Sequence, residues 1–239
     1  MVVDAEKLGY KEINDILREN KGDTTLTNCK GQRFIGTGMA ENDIIVEGVP
    51  GNALGAYLNG AKITVHGNAQ DAVGDTMNDG EIVIHGNVGD AVGYAMCGGR
   101  IIINGDAGYR AGIHMKAYKE KVPVMVIGGK AGSFLGEYQA GGIIIVLGLG
   151  ESKRNIVGNF PCTGMHGGKM FLRSDCKGII FPKQVTARKA LPEDLDEIEK
   201  YIDEYCKLFG VNKGELLDSP FTVVTPDSGN PYKQLYVAN

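Results

Sequence analysis

The sequence predicts an all-β chain, a right-handed parallel β-helix of about seven coils with a helical cap at each end. Three observations predict it: a period of about nineteen residues, an aliphatic strand in every period, and glycines at fixed places between the strands. Residues 82–112, IVIHGNVGDAVGYAMCGGRIIINGDAGYRAG, show all three. Ile82-Val83-Ile84-His85-Gly86 returns nineteen residues later as Ile101-Ile102-Ile103-Asn104-Gly105. Periods of this size indicate a solenoid.

The residue closing each strand serves as an anchor. The anchors are Asn28, Gly48, Gly67, Gly86, Gly105, Gly128, Gly148 and Ser174. Two residues before them stand Leu26, Val46, Val65, Ile84, Ile103, Val126, Val146 and Leu172. Four before stand Thr24, Ile44, Ile63, Ile82, Ile101, Val124, Ile144 and Met170. An apolar column every second residue is a strand with one inward face. A second glycine follows in each period: Gly36, Gly55, Gly74, Gly93, Gly112, Gly136 and Gly158. Three residues after the first five of these stand Met39, Leu58, Met77, Met96 and Met115, read as core filler. Glycine at several corners of a nineteen-residue period leaves no room for a helix, since each interior glycine costs about 1 kcal/mol. Crossovers between parallel strands are right-handed in about 98% of cases, which sets the expected hand. These glycines are expected to serve tight turns and close coil-to-coil approach, with no ligand required.

The ends are expected to differ. Residues 1–23 form an N-terminal cap, with a helical pattern over 5–20 carried by Leu8, Ile13, Ile16 and Leu17. Residues 24–183 form the solenoid. Residues 184–239 hold a helix over 192–209, opened by Pro192 and closed by Gly210, followed by a tail. Pro220, Pro226 and Pro231 argue that the tail is extended.

Composition narrows the function. The chain has 239 residues, 36 glycines, no Trp and a net charge of −4. Without a basic block, nucleic-acid binding has little electrostatic support. No apolar run approaches the ~20 residues of a membrane span, and the first residues lack a signal-peptide pattern. Five cysteines (29, 97, 162, 176 and 206) include no CxxC pair. They read as reduced thiols of a cytoplasmic protein.

Candidate chemistry is sparse. His66 and His85 share one position in adjacent coils and should stack about 5 Å apart, as an outward ladder from Glu47 to Asn104 with no third metal ligand. Residues 128–133, GGKAGS, lack the spacing and the following helix of a phosphate loop. Cys162 and His166 could form a nucleophilic pair, but no orienting acid is evident. From second glycine to next anchor the regular coils, among them 55–67, 74–86, 93–105 and 136–148, use 12 residues, while 112–128 and 158–174 use 16. The two longer stretches suggest a shared partner-contact ridge of Lys116, Tyr118, Lys119, Lys121, Phe160, Cys162 and His166.

Residues 48–105, with the segments VEGVPGNALGAYLNG and GMHGGKMFLRSD, resemble the GXGXG repeat domain at the C-terminal end of the glutamate synthase large subunit. One of the subunits of formylmethanofuran dehydrogenase has a similar repeat. The resemblance covers about residues 25–185 and implies a β-helix that holds the amidotransferase and FMN-binding synthase parts of glutamate synthase in register. It carries over no catalytic residue. Residue 2 is Val2, where an N-terminal-nucleophile amidotransferase would need cysteine. FMN and an iron–sulfur centre are therefore expected in separate partner chains, and none of these groups in this one. The rival readings are a formylmethanofuran dehydrogenase scaffold and an independent enzyme using Cys162 and His166. Association with further copies of itself is left open.

Overall fold

The computed structural model describes residues 1–150 and 155–227. Eight parallel strands form the main stack: β2 (Thr24–Lys30), β3 (Asp43–Val49), β4 (Asn59–His66), β5 (Asp79–Ile84), β6 (Arg100–Ile103), β7 (Val124–Ile127), β8 (Ala140–Val146) and β9 (Gly167–Leu172). Each pairs with the next in chain order, so the chain is a parallel β-solenoid of about eight turns. We number the coils from β2, the first, to β9, the eighth. Ile63, Ile82 and Ile101 stack on one another, as do Val65, Ile84 and Ile103, and all are fully buried.

The register slips once. Ile101 faces Met125 and Ile103 faces Ile127, so the inward pair of β7 is Met125 and Ile127. The spacing of the anchors predicts Val124 and Val126 there instead. A one-residue slip exchanges the two faces of a strand. The glycine stacked on Gly105 is accordingly Gly129, whose N–H donates to the Gly105 carbonyl. Gly128 instead lies over Asn104, and a Cβ there would collide with the Tyr205 hydroxyl and the Asn104 carbonyl. At the other end Asn28 stands in an irregularity of β2, and Cys29 pairs with Gly48.

Gly158 also leaves its expected column. Its N–H donates to the Ala131 carbonyl, which stacks it over Gly132. Cys162 takes the corner position instead, donating its N–H to Leu135 as Gly136 does to Ala111. From Cys162 to Ser174 is the ordinary 12 residues, so no insertion lies there. The extra residues of that coil fall between Gly148 and Cys162, a stretch containing residues 151–154, which lie outside the described residues.

Each corner is built from two overlapping turns. In the second coil the Ala56 N–H donates to the Ala53 carbonyl and Leu58 to Gly55. Gly55 and Tyr57, third in each turn, have φ of 65° and 58°. A positive φ at the third residue is the demand of a type II turn. Neighbouring coils are then tied by side chains. Asn68 Oδ1 accepts from the Asn87 N–H, Asn87 Oδ1 from Asp106, and Asp106 Oδ1 from Lys130.

The ends are closed by other elements. Strand β1 (Val2–Asp4) runs parallel to β2 and extends the sheet, so the N-terminal helix α1 (Tyr10–Glu19) begins later than the apolar pattern suggested. Buried Asn14 on α1 accepts from the Gly36 N–H. It thereby replaces the preceding coil, whose carbonyl serves the matching glycines elsewhere. Helix α2 (Pro192–Phe209) has Pro192 in its first turn and left-handed Gly210 as its cap. Among the described residues, 211–227 are not an extended tail. Helix α3 (Lys213–Leu217) follows, capped by the Asn212 side chain. Strand β11 (Thr222–Pro226) then pairs antiparallel with both β9 and β10 (Val185–Lys189). The free edge of β9 accounts for this, because an unpaired strand edge seeks a partner. Pro231 lies outside the described residues.

Two cores result. One fills the solenoid interior. The second lies outside the sheet, where Ile198, Ile202 and Tyr205 of α2 cover Ile102, Val126, Ile145 and Phe171. The first coils carry Thr25 and Thr64 on that outer face, and neither belongs to the second core.

Candidate functional site

The His66 and His85 rings stand edge-to-face at 4.9 Å, within the expected ladder. His66 Nδ1 lies 2.8 Å from Glu47 Oε1, and His85 packs against Phe209 of α2 at 5.2 Å. Burial and, next, the neighbouring His66 lower the His85 pKa, against the pull of Glu47. His85 is therefore held toward its neutral form where it packs at the edge of α2. Among the described residues no group of three or more His, Cys, Asp or Glu side chains could share a metal ion.

The segment Gly128–Gly132 does not cradle an anion. Its amides are directed to Ile103, Gly105, Asp106 Oδ1, Ile156 and Ala107 in turn, all in neighbouring coils. Cys162 is fully buried, with Sγ 3.6 Å from Met170 Sδ. Burial pushes its thiol up to about 12, with a smaller contribution from Cys176. A buried, protonated thiol is not a nucleophile. His166 Nδ1 lies 3.0 Å from the Gly164 carbonyl.

The expected ridge is thereby corrected. Cys162 is in the core, and the two long stretches do not coincide. Lys116, Tyr118, Lys119 and Lys121 belong to one loop before β7, in which Tyr118 and Lys121 exchange backbone hydrogen bonds. Lys121 reaches back to Asp79 Oδ2 at 2.7 Å. Phe160 lies on the glycine-turn corner of the seventh coil and is exposed.

That corner carries a feature that the sequence pattern did not bring forward. Two positions beside each corner glycine are left-handed and point outward. Along one of them Arg110, Phe134 and Phe160 stack, the guanidinium 5.1 Å from the Phe134 ring centre and the two rings 5.3 Å apart. Along the other stand His114 and Tyr138, 5.2 Å apart between centres, and Tyr94, one residue after its own corner glycine, leads to them at 6.0 Å. Arg110 is also paired with Glu137 at 2.9 Å. The signal was available, because these residues recur two before, one after and two after the corner glycine.

A second unforeseen cluster seats α2. Glu81 accepts Lys62 and Arg100, both at 2.7 Å, and Arg100 Nε lies 3.3 Å from Glu204 of α2. Burial opposes ionisation of Glu81, but Lys62 and Arg100 outweigh it and lower its pKa. Burial and the adjacent Glu81 raise that of Glu204. A cavity of about 340 Å³ beside it is lined by Asp79, Arg100, Lys121, Lys200, Tyr201 and Glu204, among others.

The coil geometry meets its family at this point, since the GXGXG motif family matches residues 10–226. This chain belongs to the GXGXG motif family. An uncharacterised protein of Methanocaldococcus jannaschii is 47% identical over 250 residues, covering 99% of this chain and 96% of that protein. A chain in the crystal structure of the formyltransferase/hydrolase complex of Methylorubrum extorquens, solved with methylofuran, has the same fold. Its TM-score is 0.62 at 20% identity, over 86% of this chain and 73% of that one. Among the described residues no helix is long and apolar enough to cross a membrane.

Proposed function

We propose that this GXGXG protein is a non-catalytic structural subunit of a cytoplasmic glutamate synthase. It would hold a separately encoded amidotransferase chain and an FMN-binding synthase chain together. Flavin and the iron–sulfur centre would reside in those partners. The observation that carries the reading is the match of the GXGXG family over residues 10–226, together with the glutamate-synthase-like segments 46–60 and 164–175 inside it. The solenoid suits the task, because stacked coils make a stiff rod with long repeated faces. The independent-enzyme reading based on Cys162 falls with the burial of that thiol.

A second reading has its own support. The fold likeness to a chain of the formyltransferase/hydrolase complex favours a scaffold in a formylmethanofuran dehydrogenase-type assembly. Affinity purification from the source cells, with mass spectrometry of what co-elutes, separates the two. An amidotransferase and a flavin-dependent synthase chain are expected. A pterin-enzyme subunit in their place would move the chain to the second assembly. Stoichiometric flavin in the isolated chain would sink the first reading.

A further inference from the structure

The corner ladders of the fourth to seventh coils are not explained by folding. Phe134 and Phe160 occupy a left-handed position that holds Ala53, Ala72 and Ala91 in other coils, so the turn needs no aromatic ring. A bulky residue with positive φ is an outlier that the turn itself does not require. Tyr94, Tyr138 and Phe160 nevertheless present their rings to solvent. Tyrosine, phenylalanine and arginine set in rows are the composition of binding hot spots.

The same corner has an unbalanced charge. Asp71, Asp75 and Asp90 lie on its outward positions in the third and fourth coils. One oxygen of each is engaged locally, by the Asp90 N–H, the Thr76 hydroxyl and the Tyr109 N–H respectively. Among the described residues no Lys or Arg forms an ion pair with any of the three. Arg110, the cation beside the rings, is already taken by Glu137, and Arg33 stands on the Asp71 and Asp90 column two coils before Asp71.

We propose that this corner docks a separate subunit whose concave face carries arginine or lysine side chains toward Asp71, Asp75 and Asp90 and seats the Phe134, Phe160, Tyr94 and Tyr138 rings. The proposal rests on the scaffold reading and names the face that the scaffold uses. The corner is convex, so its occupant must be concave. Three carboxylates without a cation partner call for a chain that brings lysine or arginine; a second copy, whose Arg33 stands three before its own corner glycine, is the rival occupant that the oligomeric state in the test separates.

Hydroxyl-radical footprinting with mass spectrometry tests this on the free chain and on the complex isolated from source cells. Tyr94, Phe134, Tyr138 and Phe160 should be oxidised in the free chain and protected in the complex. Phe134→Ala with Phe160→Ala, and separately Asp71→Asn with Asp90→Asn, should each weaken partner retention about tenfold or more, the scale of lost hot-spot contacts. Both pairs should fold, since alanine and asparagine already stand at the matching positions as Ala53 and Asn52. Circular dichroism would verify it. Equal oxidation of the ladder in an intact complex overturns the proposed face and leaves the scaffold reading standing. Protection within a homo-oligomer overturns the occupant. Recovery of the chain without partners removes both.

Discussion

Cys162 stands where Gly36, Gly55, Gly74, Gly93, Gly112 and Gly136 stand in other coils, and it shares their left-handed backbone with φ 61°. Its side chain points inward among Met165 and Met170 rather than toward solvent. It should resist alkylation in the native protein and react on unfolding; rapid native labelling by iodoacetamide would contradict its placement. Strain at such corners should be removable. Ala91 has φ 56° at a half-buried position. Left-handed Ala costs about 1–2 kcal/mol and Gly returns about 0.5–1 kcal/mol of that as chain entropy, so Ala91→Gly should raise stability by about 0.5 kcal/mol. A lower Tm for that variant would show that the turn is not strained there. Glu204 offers a test by pH. Its folded pKa is raised above the ordinary 4.5, so its contribution to stability falls as pH rises through the window above 4.5. Glu204→Gln should therefore melt no lower than the parent at pH 7, with any gain vanishing below about pH 4.5, as thermal melts across pH would record.

At the level of elements, the strand faces decide what a substitution does. Ile84 is fully buried between Val65 and Ile103. Ile84→Asp should abolish folding, because an unpaired interior charge consumes most of the ~5–15 kcal/mol that holds a domain together. A soluble, cooperatively melting Ile84→Asp protein would mean that the inward column is misassigned. Ile202 lies in the outer core beneath α2. Ile202→Asp should loosen α2 and leave the solenoid standing. Dye binding to the uncovered Ile102, Val126 and Ile145 should rise while the far-ultraviolet β signal persists. The corrected register of β7 explains why Val126 belongs to that outer set. Pattern reading alone could not see the slip, because Val124, Met125, Val126 and Ile127 are all apolar and all buried. An alternation of apolar and polar residues shows which face is inside; a continuous apolar run does not.

Across the whole molecule, coils touch mainly their neighbours, so stability should vary along the rod. The fifth to eighth coils carry a core on both faces of the sheet, while Thr25, Ile45 and Thr64 on the outer face of the first three belong to neither core. Amide exchange should be slowest in β6 to β9 and faster in β1 and β2. A uniform exchange profile would argue against this division. The same arrangement separates two surfaces of the rod. One sheet face is spent on α2, and the ringed corner stays open.

The repeat of strands and corner glycines, and the helix over 192–209, were legible because each depends on contacts made at fixed sequence offsets: turns within a corner, identical layers above it, an apolar stripe along a helix. The sequence by itself therefore determined the solenoid, its inward columns in seven of eight strands and the position of α2. Tertiary structure decided the rest. It chose which of Gly128 and Gly129 stacks, which of Gly158 and Cys162 turns the seventh corner, and that β11 enters between β9 and β10. Each of those depends on which distant backbone arrives alongside, and local spacing carries no record of that approach. Tyr205 arrives over Gly128 from about eighty residues away in sequence, a span that loop-closure entropy penalises only weakly.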